Sequence, residues 1–184
     1  MTDYLPIWMW IPHILCALGA EGPGLLAGRF YGTLNGKQKE RGAETSMDES
    51  TPVNLKPLEC RSNRPHQFST ANGIFVTKIE PGRAEGFLQV TRDSLNPHGK
   101  VHGGALAALA DTVGGNCACA RGRSCVTASQ SMEFLRPAEG PYITCVATPK
   151  KEGHTLSVIQ VELSNAEGKL VATGTFTFFM MDQW

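Results

Sequence analysis

The sequence predicts an α+β domain in which a strongly curved antiparallel sheet wraps one long central helix. Three observations predict it. Residues 103–120, GGALAALADTVGGNCACA, are rich in Ala and Leu and carry one carboxylate, Asp111, with no Lys or Arg. Within them Leu106, Leu109, Ala110, Val113 and Cys117 recur at i, i+3, i+4 spacing, which calls for burial on most sides. Strand-patterned segments lie on both sides of this run, and no helical period occurs after it. A single helix lying flat beside so many strands could not cover them. A sheet curled around it can, and Ala105, Ala107, Ala108, Ala110, Gly114 and Gly115 let strands come close.

Taken in order, the chain opens with an apolar, Trp-containing stretch, YLPIWMWIPHILCALGA. It is too short and interrupted for a membrane-spanning helix. A secretory leader is disfavoured by the acidic Asp3, the absence of a basic start and the break at Pro12-His13. The preferred reading is that Met47 is the natural start and the preceding segment an upstream extension. A docked or loose appendage comes next and secretion last. Residues 32–64 are polar and aperiodic and read as a linker or arm. The organisation expected is therefore an extension over 1–64 and one folded domain over 65–184.

A hairpin is expected over 73–90. Ile74, Val76 and Lys78 would share one face and Phe75, Thr77 and Ile79 the other, with Glu80-Pro81-Gly82 as the turn and 84–90 as the return strand. Residues 91–99 form the loop into the helix. Four strands follow it, at 124–135, 142–149, 154–163 and 170–179. In the third, Ser157, Ile159, Val161 and Leu163 share a face. In the last, Leu170, Ala172, Gly174, Phe176 and Phe178 alternate with Val171, Thr173, Thr175, Thr177 and Phe179.

The composition narrows the function. The net charge is zero with 18% charged residues, which excludes the basic face that nucleic acid requires. The six cysteines (Cys16, Cys60, Cys117, Cys119, Cys125 and Cys145) contain no CxxC pair and no His at zinc-finger spacing. They read as thiols in a reducing cytoplasm, with no metal, and the chain as cytoplasmic and independent of membranes.

The chemistry-bearing residues cluster around the helix start. Gly103 and Gly104 place unpartnered N–H groups where the helix dipole favours negative charge, as a developing oxyanion would need. The bland alternative is a tight turn into the helix. Asp111 can act as a general base or a nucleophile, or be a carboxylate satisfied by a neighbouring Ser or Thr. Gly103 and Asp111 are eight residues apart, about 12 Å along a helix axis. One helix cannot easily present both to one carbonyl, but two antiparallel helices from two protomers can. A two-fold homodimer with composite sites is therefore expected.

The stretch NPHGKVHGGALAALAD resembles the hotdog-fold acyl-CoA thioesterases of the phenylacetate-degradation (PaaI-like) type, whose pattern is Asn, His-Gly-Gly, and an acid nine residues after the His. Here these are Asn96, His102-Gly103-Gly104 and Asp111. The segment VTASQSMEFLRPAEG is similar to the strand of that family that ends F-L-R-P-A. The likeness runs from about Phe68 to the C-terminus. It implies hydrolysis of an acyl-CoA thioester to free acid and coenzyme A. The Gly103 N–H would polarise the carbonyl, His102 and Asn96 would position the thioester or shape the loop, and Asp111 of the other chain would activate water or attack. Thr127 would hold the water, with Ser129 and Ser131 as rivals. Gly104, Arg121, Arg123 and Arg136 would contact substrate, with Lys150-Lys151 as further rim candidates for the phosphates and a solvated turn as the alternative for each. His98 departs from the pattern and is expected at the loop surface. No cofactor beyond the substrate's own coenzyme A is implied, and two dimers could pair. The rival functions are a non-catalytic acyl-CoA binder, which has no need of Asp111, and a hydratase, which would want a His soon after the acid, where none occurs before His154.

Overall fold

The computed structural model describes residues 54–182. The apolar stretch near the N-terminus, Met47 and Cys16 lie outside them. Three α-helices, α1 (Lys56–Ser62), α2 (Phe68–Ala71) and α3 (Gly103–Cys119), and one 3-10 turn (Arg92–Ser94) accompany six strands. These are β1 (Ile74–Glu80), β2 (Arg83–Gln89), β3 (Ser124–Phe134), β4 (Tyr142–Lys151), β5 (Leu156–Asn165) and β6 (Leu170–Met181). The strands form one sheet in the order β1-β2-β4-β5-β6-β3, and every neighbouring pair is antiparallel.

The sheet closes over α3 as the composition of that helix requires. Leu106, Leu109, Ala110, Val113 and Cys117 are buried against Ile143, Cys145, Ile159, Val161, Leu163, Phe176 and Phe178. The expected face of β5 holds, and that of β6 holds from Ala172 onward, whereas at its start a register shift against β5 leaves Leu170 partly exposed and buries Val171. Ser157, Ile159, Val161 and Leu163 are all buried, as are Ala172, Gly174, Phe176 and Phe178. Removal of one large core ring such as Phe176 would cost about 3–5 kcal/mol, so this face specifies the register of the sheet.

The hairpin departs from strict alternation. A bulge between Val76 and Lys78 shifts the phase of β1, so Ile79 turns inward with Ile74 and Val76 while Lys78 is exposed. An extra residue in a strand swaps the faces beyond it, and period-two reading cannot register it. β2 approaches α3 closely. A Cβ on Gly86 would lie 2.6 Å from the Phe75 carbonyl oxygen and 2.7 Å from Val113 Cγ2. Gly86→Ala is expected to cost about 1–3 kcal/mol through overpacking. It should lower the urea midpoint at an unchanged slope, and an unchanged midpoint would contradict the packing described.

Ordered structure begins ahead of residue 65. Helix α1 lies in the stretch expected as linker and buries Leu58 with Val76, Ile79, Cys119 and Ala120 in a second small cluster. Asn63, which follows it, docks on the outer edge of β1. Its side-chain Nδ2 donates to the Val76 carbonyl (2.8 Å) and its Oδ1 accepts from the Val76 N–H (2.9 Å). One edge of the sheet is thereby covered by the chain itself. At the other edge β3 is largely exposed, with Val126 51% and Phe134 53% accessible. No helix of the described residues is long and apolar enough to cross a membrane.

Candidate active site

The first residues of α3 are set by a histidine. His102 is the N-cap, in extended backbone, and its Nδ1 accepts from the Gly104 N–H at 2.9 Å. An accepting Nδ1 places the proton of the neutral ring on Nε2. The Gly104 N–H is thus occupied, so its expected part in substrate contact does not run through that group. The Gly103 N–H has no acceptor among the described residues. A Cβ on Gly104 would stand 2.9 Å from His102 Nδ1, so the glycine is required by the ring that caps the helix. Both His102→Ala and Gly104→Ala should cost about 0.5–2 kcal/mol, the value of an N-cap. Because both remove one contact, the double variant should lose little more than either alone in thermal unfolding. Additive losses would show that the cap is not shared.

The preceding loop is organised by Asn96. Its Oδ1 accepts from the N–H groups of His98 (2.9 Å) and Lys100 (3.1 Å), and its N–H donates to the Lys100 carbonyl. Of the two roles expected for Asn96, shaping the loop is the one its bonds perform. His98 is exposed, as expected.

Asp111 sits at mid-helix and is partly exposed instead of fully buried, because it faces a cavity of about 350 Å³. Its Oδ1 accepts from Thr127 Oγ1 at 2.6 Å. A second bulge, between Thr127 and Ser129 of β3, leaves Thr127 opposite the buried Phe178 and Ser129 opposite Thr177. Thr127, although exposed, therefore reaches the helix at Asp111, while Ser129 and Ser131 lie on the other face beyond the bulge. The cavity is also lined by Arg61 and Ser62 of α1, and by Asn116, Cys119 and Cys125. Ser62 Oγ donates to Asn116 Oδ1 at 2.5 Å, tying α1 to α3 across the cavity floor. Sequence reasoning missed this contribution from α1. The only hint was the spacing of Leu55 and Leu58, too brief to read as a helix face.

The expected arginines do not join Asp111. Arg121 pairs with Glu152, Arg123 Nη1 donates to the His154 carbonyl at 2.7 Å, and Arg136 Nη1 donates to the Leu170 carbonyl. Lys150 Nζ reaches Thr175 Oγ1 at 3.4 Å. The cavity's own cation is Arg61.

Gly103 lies at the far end of the same helix edge, against a different part of β3. A Cβ there would meet the Phe134 ring at 3.4 Å. Asp111 contacts Thr127 near the start of β3, and Gly103 neighbours Phe134 at its end. Within one chain the carboxylate and the free N–H stay separated along α3. Among the described residues no cluster of three His, Cys, Asp or Glu side chains is arranged to hold a metal ion. The four thiols Cys117, Cys119, Cys125 and Cys145 are free, whereas Cys60 is disulfide-bonded, which departs from the all-thiol reading.

Comparison with known proteins identifies the family. The profile of the Thioesterase superfamily matches residues 98–172. The acyl-coenzyme A thioesterase PaaI of Escherichia coli is 33% identical over 103 residues, covering 55% of this chain and 74% of that protein. Human acyl-coenzyme A thioesterase 13 is 30% identical over 138 residues, 72% of this chain and 96% of that one. Among solved structures, a hypothetical thioesterase from Streptococcus pneumoniae with coenzyme A superposes with a TM-score of 0.57 at 30% identity. That match covers 60% of this chain and 87% of the other.

Proposed function

Because the chain belongs to the thioesterase superfamily, thioester hydrolysis is its chemistry, and we propose that its substrate is an acyl-CoA and that each site is shared between two protomers. The observation that carries the reading is the layout of β3. It is the uncovered edge of the sheet, Asp111 lies beside one of its ends and Gly103 beside the other. An exposed edge strand of this length is a surface for pairing with another strand. If two β3 strands pair antiparallel about a two-fold axis near Gln130, the start of one lies opposite the end of the other. Asp111 and Thr127 of one protomer then face Gly103 and Phe134 of its partner.

In that arrangement the thioester carbonyl oxygen accepts from the partner's Gly103 N–H, at the positive end of the α3 dipole. Thr127 fixes Asp111 through one oxygen and leaves the other for a water or for the carbonyl carbon. Either Asp111 takes a proton from the attacking water, or it attacks and water then cleaves the anhydride. Coenzyme A leaves as the thiolate in both cases. A single turnover in ¹⁸O water separates the routes by the position of the label. Arg121 and Arg123 precede β3 and Arg136 follows it, so pairing brings the partner's Arg136 toward the other two and forms a cationic rim for the phosphates. The reaction draws on water and a carboxylate and requires no further cofactor.

The test is release of free thiol from a panel of aryl, short-chain and long-chain acyl-CoA esters. Turnover of at least one class is expected. Binding of all classes with release from none would contradict hydrolysis and leave an acyl-CoA binder.

A further inference from the structure

The mechanism leaves one pair of nucleophiles unused. Cys119 is the last residue of α3 and Cys125 the second of β3, and their Sγ atoms stand 3.4 Å apart. Both line the cavity that holds Asp111 and Thr127, and Cys125 is partly exposed. The other free thiols have no such access. Burial pushes Cys117 up to about 12 and Cys145 upward as well, and both lie in the closed core.

We propose that Cys119 and Cys125 form a reversible disulfide, and that this modification switches off the hydrolytic site. The chemical part stands on the thiol geometry alone, and only the effect on turnover rests on the function proposed above. An S–S bond is about 2.05 Å long, so the sulfurs must close by roughly 1.4 Å from their present separation. Thr127 lies two residues beyond Cys125 and holds Asp111 at 2.6 Å. Drawing the start of β3 toward the end of α3 displaces that hydroxyl from the carboxylate.

Cys119 is the attacking thiol. The sulfur–sulfur contact with Cys125 lowers its pKa against the opposing effect of burial, and the Arg61 charge adds to the lowering, while the same contact pushes the Cys125 thiol up. With hydrogen peroxide as the oxidant, the Cys119 thiolate attacks one oxygen, the O–O bond breaks, and a sulfenic acid and hydroxide result, the hydroxide taking up the proton that the Cys119 thiol released to become the first water. Cys125 sulfur then attacks the Cys119 sulfur and the S–O bond breaks. The Cys125 proton leaves with the oxygen as a second water. Two thiols are oxidised by two electrons and one peroxide is reduced to two waters. A dithiol such as dithiothreitol reverses the bond by exchange.

Arg121 and Arg123 lie between the two cysteines, so trypsin separates them, and because Cys117 travels with Cys119 and Cys145 with Cys125, fragmentation of the linked peptide pair assigns the bond. The full-length protein is reduced, exposed to hydrogen peroxide, alkylated and digested, and thiol release is assayed in parallel on the desalted protein. The expected result is a Cys119–Cys125 linked pair and a fall in turnover of about ten- to a hundred-fold, the scale of a misplaced catalytic group. Dithiothreitol should restore it. Cys119→Ala and Cys125→Ser should each keep basal turnover and ignore peroxide. Absence of the linked pair overturns the site, and a linked pair with undiminished turnover overturns the switch. Because the peptide readout does not depend on hydrolysis, failure of the function reading leaves it intact.

Discussion

Asp111→Asn is expected to bind an acyl-CoA ester with little change in affinity while thiol release falls by about 100- to 10,000-fold, the typical worth of a positioned general base. The substitution is chosen for what it leaves alone. Asparagine matches aspartate in shape, and its amide oxygen can still accept from Thr127 Oγ1, which now donates at 2.6 Å. The packing of α3 therefore has no reason to change, since Leu109, Ala110 and Val113 around it carry the burial. What is lost is the charge and the lone pairs able to take a proton or form an ester. Calorimetric binding beside a thiol assay separates the two effects. Turnover near the wild-type rate would remove Asp111 from the chemistry.

The second large effect is expected from the sheet edge. Ser129 and Ser131 lie on β3 near the proposed two-fold axis and are exposed. In the double variant Ser129→Lys, Ser131→Lys, two like charges from each strand would meet across the axis, and directly opposed like charges destabilise a strand pair. The monomer should remain folded, because the inward positions of β3 are untouched. Light scattering should report monomers, and thiol release should fall in step with the dimer fraction, even though Asp111, Thr127 and Gly103 are all present. A folded monomer with full turnover would show that one chain suffices. The opposite edge offers a control. Asn63 already satisfies Val76 there, so charges placed on the outside of β1 should leave association unchanged.

The parts legible in the sequence are those dictated by burial. A run of seventeen residues with one carboxylate has to be enclosed, and α3 is enclosed. Alternation gave the correct inward faces over Ser157–Leu163 and Ala172–Phe178, because these stretches keep a period of two against one helix, and it failed at Leu170 and Val171, where the pairing with β5 shifts register. The parts that escaped depend on local irregularity. A bulge in β1 turned Ile79 inward, and a bulge in β3 put Ser129 and Ser131 on the face opposite to Thr127. Neither leaves a compositional mark. Thr127 was favoured over its rivals by resemblance, and its geometry follows from a bulge that no spacing reveals. Helix α1 escaped because seven residues give no period, and a helix so short depends on the docking of Leu58. With it went Arg61, the cavity's cation. The arginines chosen from the sequence turned out to be bonded to Glu152 and to the carbonyls of His154 and Leu170.

The shared site is tested most directly by a heterodimer of two inactive chains. Gly103→Pro removes the free N–H at a position that suits proline. It is the first residue of the helix, and His102 before it already has φ −64° and ψ 137°. Co-expression of Gly103→Pro with Asp111→Asn under different tags, followed by tandem purification, gives a dimer in which one site carries both lesions and the other carries neither. Composite sites predict about half of wild-type turnover per dimer, although each parent homodimer is nearly inactive. A heterodimer as inactive as its parents would contradict the account, since it would place Gly103 and Asp111 in the same site of the same chain.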